Sequence, residues 1–189
     1  MVTTFNAQSV VPSHQQGLPE KFLLEADHYT NPKWQEVEQR QIFRRTWPYV
    51  GDAERLYEPG MVWATSVAGI NLLITRDHSG ELSAFHNVCP HRAAVLAPTV
   101  GVKSCKKLVC PYHAWVYDLT GNLAGVPSQE KFGAGFQKKD FALYPIRLET
   151  WSGFIFVCLD EKAPPLEEFL GSIPQNLGQH RTPDSQQLL

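Results

Sequence analysis

The sequence predicts a mainly β fold carrying a short N-terminal helix. Two observations carry that reading. From residue 47 to about residue 160 the chain runs as short β-branched and aromatic stretches, broken by turns rich in Gly, Asp and Pro. Ahead of them, residues 32–45 set Trp34, Val37, Gln41, Ile42 and Phe43 at mostly helical spacing, with Thr30 or Asn31 able to cap and Pro32 at an early helical position.

Taken in order, residues 1–18 hold Gln, Ser, Pro and Gly without periodicity and read as a disordered tail, followed by a helical extension over 19–46. Strands are expected at 47–50, 61–67, 70–75 and 82–87. The breaks Glu58-Pro59-Gly60, Ala68-Gly69 and Asp77-His78-Ser79-Gly80 separate them and imply two hairpins. A hairpin through 107–109, a strand at 115–117, the turn Asp118-Leu119-Thr120-Gly121 and a strand at 123–125 come next. Residues 127–140 form a looser connection, and 144–149 and 153–159 supply the last two strands. A β domain over 47–160 therefore leads into a C-terminal segment, 161–189, that contains Pro164-Pro165, Leu166 and Phe169-Leu170.

A chain of 189 residues, 43% hydrophobic, is long enough to bury its own core. A net charge of −2 without a basic run argues against nucleic acid as a partner. The longest apolar stretch, around 153–159, is far too short to span a bilayer, and the polar first residues lack the charged and apolar regions of a secretory leader. A reducing, cytoplasmic setting is expected, in which Cys105 is a semi-exposed free thiol and Cys158 a small core residue.

Two segments carry chemistry: Cys89-Pro90-His91-Arg92 and Cys110-Pro111-Tyr112-His113-Ala114-Trp115. Each offers one thiolate and one imidazole, spaced C-x-H in the first and C-x-x-H in the second. Structural zinc sites usually pair like ligands, C-x₂₋₄-C followed by H-x₃₋₅-H, and this mixed pattern departs from that habit. It suits a Rieske [2Fe–2S] cluster, with Cys89 and Cys110 on a buried iron and His91 and His113 on an outer one. Exchanging two thiolates for neutral imidazoles removes two negative charges and raises the reduction potential, into a window of about −150 to +300 mV. Pro90 and Pro111 stiffen the two loops and remove competing N–H groups.

The runs Asn87-Val88-Cys89-Pro90-His91-Arg92 and Cys110–Trp115 resemble the Rieske domain of ring-hydroxylating and quaternary-ammonium Rieske non-haem iron oxygenase α subunits. Respiratory Rieske proteins carry an extra cysteine in each loop, joined as a disulfide. The corresponding positions here are Ala94 and Tyr112, so the resemblance excludes that disulfide. Trp115 stands where the respiratory type has a serine that donates to a bridging sulfide, which implies a potential in the lower part of the Rieske window. The oxygenase pattern most often has glycine where this chain has Ala114. Tyr112 and Trp115 are expected to shield the cluster. Arg92 is expected either to brace the loop by donating to a carbonyl or carboxylate, or to form a surface salt bridge.

The resemblance also implies a second, mononuclear Fe(II) in a 2-His-1-carboxylate triad, its histidines drawn from a D-x₂-H-x₄-H-type motif well downstream. Apart from the four cluster residues' own pair, the chain has His14, His28, His78, His86 and His180, and no two are four or five residues apart. Each has a plain reading in a turn, near a terminus or, for His86, facing outward from a strand. Three functions stay open. The first is the electron-transfer part of an oxygenase α subunit whose catalytic domain is absent, as a fragment or split protein. It would be fed by a reductase or ferredoxin and serve a partner, or a neighbouring copy in a homotrimer. The second is a stand-alone Rieske-type ferredoxin, and the third an interaction protein that kept the fold without redox activity. Exposed apolar residues on the 32–45 helix and the 165–170 segment would favour the first over the second.

Overall fold

The computed structural model describes residues 24–179; the tail expected over residues 1–18 lies outside them. Two units are distinguished, one ending at Glu36 and one beginning at Val37. In the first, helix α1 (Asp27–Thr30) leads into α2 (Pro32–Glu38). Asn31 caps α2, its side-chain oxygen accepting the Lys33 N–H at 3.0 Å. The Asp27 carboxylate accepts from the Trp34 indole and the Asn31 amide, each at 3.0 Å, and His28 stacks on Trp34.

In the second unit, from Val37 onward, α2 changes pitch into a π-helical turn, Gln39–Phe43, so the helix expected over 32–45 is interrupted. Nor do the residues set at helical spacing form a buried face. Neither stretch buries a residue, and Ile42 and Phe43 are 50% and 43% exposed.

The β architecture consists of two antiparallel sheets. The larger has seven strands: β1 (Tyr49–Asp52), β2 (Met61–Val67), β3 (Ile70–Arg76), β4 (Leu82–His86), β5 (Gly101–Ser104), β9 (Pro145–Trp151) and β10 (Phe154–Cys158). Their order across the sheet is β1-β10-β9-β4-β3-β2-β5. The smaller sheet is β6 (Leu108–Val109), β7 (Val116–Tyr117) and β8 (Leu123–Gly125), with β7 in the middle. The mainly β expectation holds. Strands β2, β3, β4, β7, β8, β9 and β10 fall close to where the sequence puts them. Strand β1 starts later because Trp47 is a core anchor, 2% exposed, ahead of the ladder.

The runs Met61-Val62-Trp63-Ala64 and Leu72-Leu73-Ile74 lack alternation because both faces of β2 and β3 are covered. Val62, Ala64 and Leu73 point into a core shared with Leu108, Trp115, Tyr117 and Leu119 of the smaller sheet and its loops. Met61, Trp63, Leu72 and Ile74 point into a second core with Ile146, Ile155 and Val157, where the sheet curls back on itself. Two turns repeat one design. Asp77 accepts from the Ser79 N–H, the Ser79 hydroxyl and the Glu81 N–H, and Asp118 accepts likewise from Thr120 and Asn122.

After β10 the chain forms two short helices, α3 (Leu166–Leu170) and α4 (Ile173–Gln179). Leu166 and Leu170 pack with Trp47 and Cys158 in a third cluster, and the Trp47 indole donates to the Pro164 carbonyl at 2.8 Å. Arg147 lies over the Trp47 ring, 4.7 Å from its centre, and donates to the carbonyls of Asp160 and Ala163. Among the described residues no helix is long and apolar enough to cross a membrane.

Candidate metal centre

Two loops carry the candidate ligands, one joining β4 to β5 and one joining β6 to β7. Their backbones follow the same bonding pattern. Cys89 N–H donates to the Ala94 carbonyl at 2.8 Å and its carbonyl accepts from Ala93 at 2.9 Å. Cys110 N–H donates to the Trp115 carbonyl at 2.8 Å and its carbonyl accepts from Ala114 at 3.0 Å. In each loop the fourth residue after the cysteine turns left-handed, with φ of 55° at Ala93 and 54° at Ala114. That region favours glycine, so two alanines are held there against their own preference. Ala114, where the oxygenase pattern most often has glycine, thus sits where a side chain is strained.

Asn87 fixes the first loop. It is 5% exposed, its side-chain oxygen accepts from the N–H groups of Leu96 and Ala97, and its amide donates to the Ala97 carbonyl. Sequence reading used Asn87 only as part of a motif; its signal was a polar residue between a buried strand and a ligand, which must find partners.

The ligand atoms divide into an inner and an outer pair. The cysteines are 1% and 2% exposed and belong to the core beneath the smaller sheet. Burial pushes the Cys89 thiol up, while the Tyr117 hydroxyl and the His91 backbone N–H pull it back by favouring the thiolate. Tyr117, fully buried on β7, sets its hydroxyl 3.1 Å from Cys89 Sγ. Burial, and then the contact with Cys89, pushes the Tyr117 phenol far up, so it stays protonated and is the donor to a thiolate. This contact was missed in the sequence, where Tyr117 read only as a strand residue.

The two imidazoles are half-exposed and lie with ring centres 4.7 Å apart at 68°. Their Nδ1 atoms are buried and have no hydrogen-bond partner. Burial, with the charges of His113 and Arg92, holds His91 below the usual imidazole range. Trp115, 2% exposed, stacks on His91 with ring centres 4.4 Å apart and nearly parallel planes. Phe132, Phe136 and Phe141 pack edge-on against Trp115.

One expectation about the neighbours needs correction, that for Arg92. Tyr112 is itself 60% exposed, and its ring centre lies 3.8 Å from that of His113. Arg92 is exposed and, among the described residues, makes no hydrogen bond or ion pair, so it neither braces the loop nor forms a salt bridge. Of the other histidines, His86 is half-buried rather than outward-facing, and burial lowers its pKa. His78 sits in the β3–β4 turn, while His14 and His180 lie outside the described residues. Cys105 and Cys158 are free thiols, as are the other two cysteines; Cys105 is half-buried and Cys158 ends β10.

The donor set fits a two-iron cluster. Two buried imidazole nitrogens without partners are expensive unless something accepts their lone pairs. Among the described residues no three His, Cys, Asp or Glu side chains are placed to hold one ion. A two-iron group needs only two protein ligands per iron, one pair of thiolates and one of imidazoles. A curled antiparallel fold presenting such pairs from twin loops defines an iron–sulfur protein of the Rieske type.

The chain belongs to the Rieske [2Fe-2S] domain family, which it matches over residues 46–151. It is 34% identical over 165 residues to the chloroplastic choline monooxygenase of Spinacia oleracea, covering 85% of this chain and 37% of that one. It is 33% identical over 170 residues to the carnitine monooxygenase oxygenase subunit of Acinetobacter baumannii, covering 86% and 45%. The solved structure of a quaternary ammonium Rieske monooxygenase superposes with a TM-score of 0.72 at 33% identity, covering 81% of this chain and 41% of that one. The chain thus spans less than half the length of these relatives, and what it matches is the Rieske domain of oxygenase α subunits.

Proposed function

We propose that this chain is the electron-transfer portion of an oxygenase α subunit, with Cys89 and Cys110 holding the inner iron of the cluster and His91 and His113 the outer one. The observation that carries it is the pair of buried, unpartnered Nδ1 atoms beside two buried thiols. A Rieske cluster supplies one-electron transfer when bound. The protein's own contribution is positional. Trp115 sets the plane of His91, Tyr117 donates to Cys89, and the core excludes water from the thiolates. The half-exposed imidazole edges are where an electron from a reductase or ferredoxin enters and from which it leaves. Its destination is a mononuclear iron held outside the described residues, among which no three His, Cys, Asp or Glu side chains are grouped to hold one. With Trp115 in place of a hydroxyl donor, the potential lies in the lower part of the Rieske window.

The flanks favour this reading over a self-contained carrier. Leu166 and Leu170 do pack onto Trp47, but Ile42, Phe43, Phe169, Ile173 and Leu177 are each between 43% and 50% exposed. Phe169, Ile173 and Leu177 lie on the successive short helices α3 and α4, and exposed apolar side chains grouped on neighbouring elements suit a surface covered by a further domain or a neighbouring copy. The solved monooxygenase is described in terms of inter-subunit electron transfer, in keeping with a homotrimer. Its relatives act on choline and carnitine, so the substrate class proposed for the complete oxygenase is a quaternary ammonium compound.

The test is EPR of the dithionite-reduced protein. A Rieske-type signal with hyperfine coupling to two imidazole nitrogens is expected, and Cys110→Ser should abolish it together with the visible absorption. An EPR-silent protein carrying stoichiometric zinc would sink the assignment.

A further inference from the structure

The π-helical turn gathers arginines. Its wide hydrogen bond, from the Arg44 N–H back to the Gln39 carbonyl at 3.0 Å, brings residues five apart onto one side, so Arg40 neighbours Arg45 as well as Arg44. The β2–β3 hairpin holds this turn in place. Arg44 donates through Nε and one terminal nitrogen to the Ala68 carbonyl, both at 3.3 Å, and the Gln39 side chain lies against Gly69. Single-turn π-helical insertions of this kind recur at functional sites.

Arg40, Arg44 and Arg45 form one wall of a cavity of about 440 Å³. The opposite wall is the turn after β10, where Asp160, Glu161 and Lys162 line it and Leu159 adds an apolar side chain. Hydrogen bonds fix that turn: Asp160 Oδ1 accepts the Lys162 N–H at 2.9 Å, and the Asp160 carbonyl accepts from Arg147 at 3.2 Å. Four cations thus share the cavity with two carboxylates. Among the described residues the ion pair is Arg147 with Glu149, so none of the four reaches a carboxylate. Arg40, Arg45 and Lys162 make no side-chain hydrogen bond among them either, and one terminal nitrogen of Arg44 has no partner.

Like charges gathered round one hollow repel each other, and an anion placed between them removes that cost. Three of the four cations are arginines, whose planar fork suits the paired oxygens of an oxyanion. The excess of two positive charges matches a dianion, and the volume suits a small molecule rather than a folded partner. We propose that this cavity is a binding site for a phosphate dianion, free or as a small monoester, with Arg40, Arg44 and Arg45 donating to its oxygens and Lys162 completing the charge. The elements that build it carry none of the four proposed cluster ligands, so the site does not rest on the electron-transfer reading.

The experiment is titration calorimetry on the full chain with its cluster, using inorganic phosphate and phenyl phosphate above the second phosphate pKa of about 6. At about 0.01 M salt the screening length is about 30 Å, and saturable one-to-one binding is expected. Arg40→Ala and Arg45→Ala should each weaken it by roughly tenfold or more. Arg45→Lys, which keeps the charge and loses the fork, should recover only part. Lys139→Ala, an exposed cation outside the cavity, should bind as the wild type does. The visible absorption of the cluster checks that each variant is folded. Tighter binding of phenyl phosphate assigns the ligand to organic monoesters, and tighter binding of inorganic phosphate assigns it to the free ion; either supports the site. Heat no greater than chloride gives at equal ionic strength, acetate binding as tightly as phosphate, or an equal loss in Lys139→Ala overturns it. A polyglutamate peptide that binds where phosphate does not also overturns it, and gives the face to an acidic protein segment instead.

Discussion

Removing a single hydroxyl tests the inner half of the site. In Tyr117→Phe the ring remains in a fully buried position, while the donor 3.1 Å from Cys89 Sγ is lost. Burial pushes the Tyr117 phenol far up, so its hydroxyl keeps a proton to donate to a Cys89 thiolate. The donation is stronger in the reduced state, where the sulfur carries more negative charge. A net hydrogen bond contributes about 0.5–1.5 kcal/mol to a neutral partner and about 1.5–3 kcal/mol to a charged one, so the difference between states is about 1 kcal/mol. For one electron a tenfold change is about 59 mV and about 1.4 kcal/mol, which puts the expected drop in potential at about 40 mV. Protein-film voltammetry on both variants, with EPR to confirm an intact cluster, measures it. A potential that stays put or rises would refute the argument, because Tyr117 would then not be donating to the ligand sulfur.

Three further outcomes are expected. Ala114→Gly relieves the left-handed φ of 54° and should raise the stability of the second loop by up to about 1 kcal/mol, read as slower loss of the cluster's visible absorption on mild heating. Gly121→Ala should destabilise the protein by about 1–3 kcal/mol, because a Cβ there runs into the Phe85 ring at a φ of +86°; an unchanged denaturation midpoint would contradict the packing. The Asp77 carboxyl is held below its ordinary pKa, chiefly by the Ser79 hydroxyl, so its contribution is present above the ordinary carboxylate range and is lost as pH falls through the lowered value. Asp77→Ala should therefore unfold at lower denaturant than wild type at neutral pH, with the two curves converging in acid.

What the sequence disclosed followed from where chemistry and geometry are local. The spacing of Cys89, His91, Cys110 and His113 is a chemical statement in itself, and the Asp77 and Asp118 turns announce themselves because an Asx turn needs only its own neighbours. What stayed hidden depends on distant parts of the chain. Strand β5 escaped because Gly101-Val102-Lys103-Ser104 is an edge strand exposed at every position, with no alternation to detect. Helices α3 and α4 escaped because a five- and a seven-residue helix beside prolines and Gly171 give no period; Leu166 and Leu170 become legible only once Trp47 is seen beneath them. The interrupted helix failed for the opposite reason. Its apolar spacing was real, but among the described residues nothing buries Ile42 and Phe43. Tyr117 is the instructive miss at the site: its partner lies 28 residues earlier in the chain, and only the packing of the smaller sheet brings them together.

The unequal spacing of the two motifs has a structural reason. Both loops close the same hydrogen-bonded frame, from the cysteine N–H to the fifth residue on and from its carbonyl to the fourth. Within that common frame the histidine stands two residues after Cys89 but three after Cys110. Had both stood at the same place, twin loops would present their imidazoles in equivalent orientations. The one-residue offset, with Trp115 stacked on His91 alone, lets the rings meet at 68° with both Nδ1 atoms turned inward. The cysteines need no such offset, because a thiolate has no ring plane to aim. On the ligand assignment proposed above, the C-x-H and C-x-x-H difference marks a site whose thiolates are set by the loop backbone and whose planar imidazoles are angled one against the other.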